Sequence, residues 1–538
     1  MGAPRNDQGV ALADAGASPA DASLPPAEIA GAPIDTLGPP GDTAGAPGDT
    51  PGALADANRP PNDAVSVADV DPVCTRIGPP SYLTGPEAYR WLVLVEATES
   101  TSDAVAYRVS GTEVTGAWRL GSGVSVRGEG FSPDGRFFLR HTWYGPAYLV
   151  DFQGSTPGNQ TLVSQETIES SWSPTESLLL LQTDLSPAGV TLVDARCGSP
   201  LTAVLPLGAP PRMINPQPMW APEGERVAFA TDRATIELAD FRTRAPSVAS
   251  IAAEPMGLRT WDCQWALAGR WLACRAEPET GTWLVAGIDT ASPNLPTTAL
   301  TAELALQISY VTWASPDWLV YPTSDGTTSQ WTYAARIDVL PASPTLRIPA
   351  SARVSSTDAW VAYLDTCGPS SASGICLVQL GRDGASQPVQ VAIGEPMEMG
   401  WARGGKHIYY TYWRGDHYEW WLIPNAAAGG IPIQPTTDMW WDRSYSPDGD
   451  WAVWRTGVDP DQKLYAYNIA EASTQLLLGG GYEALHWSRD GDFLAVLTAD
   501  RTQVLVFAEQ GHTLVEIARL DSSTGAFASW FLWQPTPQ

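Results

Sequence analysis

The chain has 538 residues, 44% of them hydrophobic, and a formal charge of -28; that length exceeds what one ordinary hydrophobic core organises and leaves several domains or one repeat architecture. No uninterrupted apolar run approaches the roughly 20 residues of a membrane helix, so no membrane span is expected. Nucleic acid is excluded as a partner on charge, because gripping a phosphate backbone needs an excess of Lys and Arg, whereas here acids outnumber bases 59 to 31.

Residues 1–73 read as a separate acidic tail rich in Ala, Pro and Gly, with no Phe, Trp or Tyr before Tyr82. Such a stretch buries too little apolar surface to offset its chain entropy, and disorder is expected. Within it an acid recurs every seventh residue, at Asp7, Asp14, Asp21, Glu28, Asp35, Asp42, Asp49, Asp56 and Asp63. Scattered Pro and Gly and the lack of an apolar seam rule out a coiled coil. In an extended chain the carboxylates stand roughly 20 Å apart, beyond the Debye length of about 8 Å, so the tail suits a solvated spacer.

From residue 74 to 538 the texture changes to short β-branched and aromatic runs divided by turn residues, which predicts an all-β fold. An aromatic residue before a tight turn returns along the chain. The copies are Phe131-Ser-Pro-Asp-Gly, Trp172-Ser-Pro-Thr-Glu, Trp220-Ala-Pro-Glu-Gly, Trp265-Ala-Leu-Ala-Gly, Trp313-Ala-Ser-Pro-Asp, Trp401-Ala-Arg-Gly-Gly, Tyr445-Ser-Pro-Asp-Gly and Trp487-Ser-Arg-Asp-Gly. A degenerate copy runs from Ser355 to Trp360, so the eight steps from 131 to 487 give a period of about 44 residues, that of a four-stranded propeller blade. Blades are covered on both faces, and these rings are expected to fill the wedges between them.

The motifs resemble the TolB-like, WD-repeat-like β-propeller family, with its W-S-P-D-G turn followed by an apolar strand, over residues 85 to 535. Trp91–Val95 and Ala104–Arg108 read as second and third strands lacking a first, and the C-terminal segment around Trp530 and Trp533 supplies one. The expected fold is a single propeller of about ten four-stranded blades, closed by pairing of the two chain ends. Eight blades or two smaller rings are the alternatives.

Six cysteines follow a spacing that suggests disulfides: Cys263 with Cys274 across a hairpin, Cys367 with Cys376 across a loop, and Cys74 with Cys197 by elimination. Bridges place the chain in an oxidising, extracytoplasmic compartment, namely periplasm, cell surface or secretion. Only Lys406 and Lys463 are lysines among abundant Ala, Gly, Pro and Arg, the usage of a high-GC bacterium. No signal peptide precedes the tail.

No catalytic constellation, metal site or cofactor is expected. The chain lacks a G-x-S-x-G elbow, matches the sialidase Asp-box only partly, and spreads its five histidines over the repeats. What the repeat does not explain is the run Tyr409 to Trp421. Trp413, Arg414 and His417, with Trp440 and Trp441 in the next unit and Trp143 and Tyr144 on a comparable loop, are the candidate binding residues. The resemblance implies a non-catalytic scaffold that binds a protein of the cell envelope; a carbohydrate-binding or carbohydrate-cleaving propeller is the alternative.

Overall fold

The computed structural model describes residues 80–535 except the segments 84–87, 98–101, 123–129, 143–144, 184–188, 208–217, 232–234, 243–245, 253–256, 279–280, 325–329, 339, 343, 350, 356–358, 368–371, 416, 440–442 and 458–460. The acidic tail, Cys74, Trp143, Tyr144, Trp440 and Trp441 lie outside the described residues.

The described chain is a β-propeller of ten antiparallel sheets. Blades are numbered here in chain order from the sheet that contains Tyr89–Ala97. A typical blade, the ninth, runs Arg443–Tyr445, Trp451–Thr456, Lys463–Asn468 and Ser473–Gly479, each strand pairing with the next. Irregularities are local. The sixth and seventh sheets carry an extra short strand, and the second has three strands, its innermost position reduced to a bridge between Phe131 and Phe138.

Period-2 alternation sends successive side chains of a strand to opposite faces. In a blade both faces meet a neighbour, so the middle strands are apolar in runs of consecutive residues rather than at alternate positions. Leu178–Thr183 of the third blade illustrates this: Leu179 and Leu181 join a core with the second blade, while Leu178 and Leu180 join one with the fourth. Each buried Leu contributes about 1.5–3 kcal/mol. Ten such cores exist among the described residues, one for each pair of successive blades, and the last joins the tenth blade to the first. Two separate rings would not produce that cyclic order.

Closure is covalently discontinuous. The C-terminal strand Phe527–Trp533 is the inner strand of the first blade, antiparallel to Tyr89–Ala97 with Leu92 opposite Trp533 and Leu94 opposite Phe531. Glu96, almost fully buried, pins the far end by accepting hydrogen bonds from the backbone N–H and the hydroxyl of Ser523, at 3.1 and 2.6 Å.

Two disulfides lie inside single blades. Cys263 and Cys274 face each other on the first two strands of the fifth blade, and Cys367–Cys376 closes a loop of the seventh. Cys197 is bonded as well; its expected partner Cys74 is among the residues not described. Such bridges fit an oxidising, extracytoplasmic environment. Opening one by reduction is expected to remove about 2–4 kcal/mol of stability. Thermal unfolding with and without reductant measures it, and coincident curves would show that the bridges add nothing.

Candidate binding surfaces on the two faces of the ring

The aromatic-turn repeat forms one face of the ring. In six of these turns the glycine N–H donates to the carbonyl three residues back, as Gly449 does to Ser446 at 3.0 Å. The glycine sits at positive φ, 73° for Gly135, 84° for Gly449 and 89° for Gly491, the left-handed residue that follows a type I turn in a hairpin. The serine has a second job. Ser132, Ser446 and Ser488 are fully buried, each hydroxyl accepting the backbone N–H five residues on at 2.9 Å while donating to the Asp two residues on. Ser173 and Ser355 instead donate across the blade boundary, to the carbonyls of Gly224 and Gly405 at 2.8 and 3.0 Å. A side chain on Gly224 would collide with the Ser173 hydroxyl at 2.3 Å, so glycine here is a condition for neighbouring turns to touch.

The repeated aromatic residues lie where the inner strands approach one another. Trp172, Trp265, Trp313, Trp487, Phe131 and Tyr445 are buried, and Trp220 and Trp401 are half-buried. Four of the indole N–H groups link consecutive blades, while those of Trp172 and Trp487 are buried without a described partner. Trp220 donates to the Ser171 hydroxyl at 3.1 Å, Trp265 to the Met219 carbonyl at 2.8 Å, Trp313 to Gln264 at 3.3 Å and Trp401 to Arg353 at 2.9 Å. In the closing strand the residue in this register is Trp533, which donates to the His486 carbonyl at 3.0 Å. Trp530 lies in the same strand, its side chain outside the described set. Gln534-Pro535 after Trp533 stands where the other turns have Ser-Pro, a signal visible in the sequence and missed there.

Strand pairing puts the strand ends at Trp413 and Met439 together on the opposite face, since Tyr418 is opposite both residues. Most rings of the 409–421 run point inward. Trp420 is fully buried 5.3 Å from Trp454, Tyr410 stacks with Trp421, and Tyr409 stacks with Tyr445 beneath the Arg443 guanidinium. Trp413 is the exception: 47% exposed, its ring 4.6 Å from Tyr418. Arg414 beside it is paired with Glu419 at 2.8 Å and lies over the Tyr412 ring. That hydrogen-bonded pairing lowers the Glu419 carboxyl below its usual range and raises Arg414. His417 is half-buried and its backbone carbonyl accepts the Arg414 N–H, closing the turn.

Two residues that periodicity did not single out adjoin Trp413. Ile393 is 65% exposed and Met397 63% exposed, on the connection between the seventh and eighth blades. Tyr412 donates its hydroxyl to the Ile393 carbonyl at 3.0 Å, and the Met397 N–H donates to Thr411 at 2.8 Å, so both border the strand that ends at Trp413. Three exposed apolar side chains, Ile393, Met397 and Trp413, thus border one short stretch of the rim.

The histidines do not assemble. His407 and His417 sit at opposite ends of one hairpin in the eighth blade, His141 in the second, His486 and His512 in the tenth. His407 is buried, its Nδ1 accepting the Asn425 N–H at 3.0 Å, and burial together with Lys406 holds its pKa below the usual value, so the ring is neutral. Among the described residues no group of three or more His, Cys, Asp or Glu is placed to hold a metal ion. No described helix is long and apolar enough to cross a membrane.

No protein-family model and no curated protein sequence matches the chain. Solved structures that it resembles include dipeptidyl peptidase 4 of Porphyromonas gingivalis, at 11% identity and a TM-score of 0.43 over 70% of this chain and 65% of that one. A eukaryotic initiation factor matches at 11% identity and a TM-score of 0.43 over 84% and 99% of the two chains. TolB from Acinetobacter baumannii matches at 12% identity and a TM-score of 0.24, over 60% and 81%. The chain thus spans less than two thirds of the peptidase's length. The class is defined by the chain's own architecture: a ten-bladed β-propeller whose two faces carry different surfaces.

Proposed function

We propose that this chain is an extracytoplasmic, TolB-like propeller that acts as a non-catalytic scaffold, binding a protein of the cell envelope through the face that carries Trp413, Arg414 and His417, with Trp440, Trp441, Trp143 and Tyr144 as the further candidates from the sequence. The observation that supports this reading is the exposed apolar corner of Ile393, Met397 and Trp413 on a ring whose other large rings near it are packed inside. An apolar anchor with an arginine at its edge is the composition of protein-binding hot spots.

The test is capture from an envelope extract with wild type and with the Trp413→Ala, Trp440→Ala, Trp441→Ala triple variant. Wild type is expected to retain a partner that the variant loses by tenfold or more, at unchanged thermal stability. The same catch from both proteins would remove this face from consideration.

A further inference from the structure

On the turn face, the inner strands and their turns surround a cavity of about 410 Å³. Its lining draws on blades far apart in sequence: Phe131 and Pro133 of the second, Ser173 of the third, Arg403 of the eighth, Trp487 and Arg489 of the tenth, and Phe531, Leu532, Trp533 and Pro535 at the closing strand. Residues so distributed around a ring converge only toward its axis, so this is the mouth of the central channel on that face.

Its charge is the reverse of the molecule's. The chain carries 59 acids against 31 Lys and Arg, yet the cavity lining holds two arginines and one histidine and no acid. Both arginines arise in the same way. The second turn position is proline in Pro133, Pro174, Pro222 and Pro447, whereas the eighth and tenth turns place Arg403 and Arg489 there. Proline suits that position because its φ is preset, so arginine forgoes a local stabilisation at two of the turns that meet at this one mouth. Both side chains are exposed, and among the described residues neither makes a hydrogen bond or ion pair. Carboxylates of the lining turns are engaged elsewhere: Asp134 accepts from the Ser132 hydroxyl and the Arg136 N–H, and Asp490 is paired with Arg90 at 3.1 Å. Around the arginines stand flat apolar walls, Phe131, Trp487, Phe531 and Trp533.

We infer that the channel mouth binds a small carboxylate-bearing molecule, held by the Arg403 and Arg489 guanidiniums with its carbon skeleton against the aromatic wall. Guanidinium matches carboxylate in geometry and is always charged, and a cavity of this volume lies within the range of small-ligand sites. The carboxylate comes either from a free dicarboxylic acid or from a short acidic peptide. This site is independent of the protein-binding face proposed above, which lies at the other end of the blades.

Isothermal titration calorimetry of the full-length oxidised protein with glutarate and with an Asp-Glu dipeptide tests the assignment, with glutaramide as the uncharged control. At least one of the two acids is expected to bind saturably while glutaramide does not. Arg403→Gln and Arg489→Gln should each weaken that binding about tenfold and the double variant roughly a hundredfold, with the thermal midpoint unchanged because neither side chain has a partner to lose among the described residues. Binding of glutarate alone identifies a free acid as the source; binding of the dipeptide alone identifies a peptide. No saturable binding of either acid, or equal binding by the double variant, overturns the inference. Because the arginine variants leave Trp413 untouched, partner capture by the other face should persist in them, which separates failure of this site from failure of the scaffold reading.

Discussion

A chain carrying Phe527→Ala and Phe531→Ala is expected to unfold at a much lower denaturant concentration than wild type, with loss of at least about 5 kcal/mol. Both rings are almost fully buried, at 1% and 3% exposure, in the core between the tenth and first blades. Truncating a buried Phe to Ala costs about 3–5 kcal/mol. Two neighbours in one core do not add strictly, but even the lower figure is a large part of the roughly 5–15 kcal/mol that holds a folded domain. The strand that carries both rings is supplied by the far end of the chain and also lends Leu532 to the core between the first and second blades, so weakening its hold opens the ring instead of loosening one wedge. Equilibrium unfolding in urea followed by tryptophan fluorescence measures the change. A shift worth less than about 2 kcal/mol would mean that the ring is not held shut here.

Gln534→Leu is the second substitution with a large expected effect, about 2–5 kcal/mol, and its mechanism is polar. Gln534 is 1% exposed and ties both chain ends together. Its backbone N–H donates to the Trp91 carbonyl at 2.8 Å, its Oε1 accepts the Trp91 N–H at 3.1 Å, and its Nε2 donates to the Tyr82 hydroxyl at 2.8 Å and the Gly135 carbonyl at 2.5 Å. Leucine matches the volume but leaves the Trp91 N–H and the Gly135 carbonyl buried without partners, at about 1–3 kcal/mol each. Hydrogen exchange distinguishes this from general loosening. The Trp91 amide should lose protection while amides in the fifth-to-sixth blade core keep theirs; uniform loss, or none, contradicts the assignment.

Much of the ring was legible before any coordinates. The recurrence of an aromatic residue before a Ser-Pro-Asp-Gly turn gives a period, the period gives four-stranded units, and orphan strands at the two ends imply closure. Local chemistry carries this because type I turns with a left-handed glycine are fixed by a few adjacent residues. The two Cys pairs read from hairpin and loop spacing, Cys263–Cys274 and Cys367–Cys376, are local in the same sense. What periodicity could not separate was the use of like residues in like positions. Within the 409–421 run, Trp420 is fully buried and Trp413 is 47% exposed, although both belong to one hairpin; the difference lies in which ring meets Trp454 of the next blade. Arg414 reads as available from the sequence, and the structure pairs it with Glu419 across the hairpin. In the degenerate seventh unit the Ser355 N–H still donates to the Trp360 carbonyl, and its hydroxyl reaches the Gly405 carbonyl of the following blade.

By itself, then, the sequence determined the all-β class, the blade repeat and the meeting of the termini, since these depend on residues that are near neighbours or that recur at fixed spacing. Tertiary structure alone decided that Ile393 and Met397 border Trp413 and that Arg403 and Arg489 line one cavity. Those relations arise from the curvature of the ring, which brings together side chains whose separation along the chain carries no trace of their proximity.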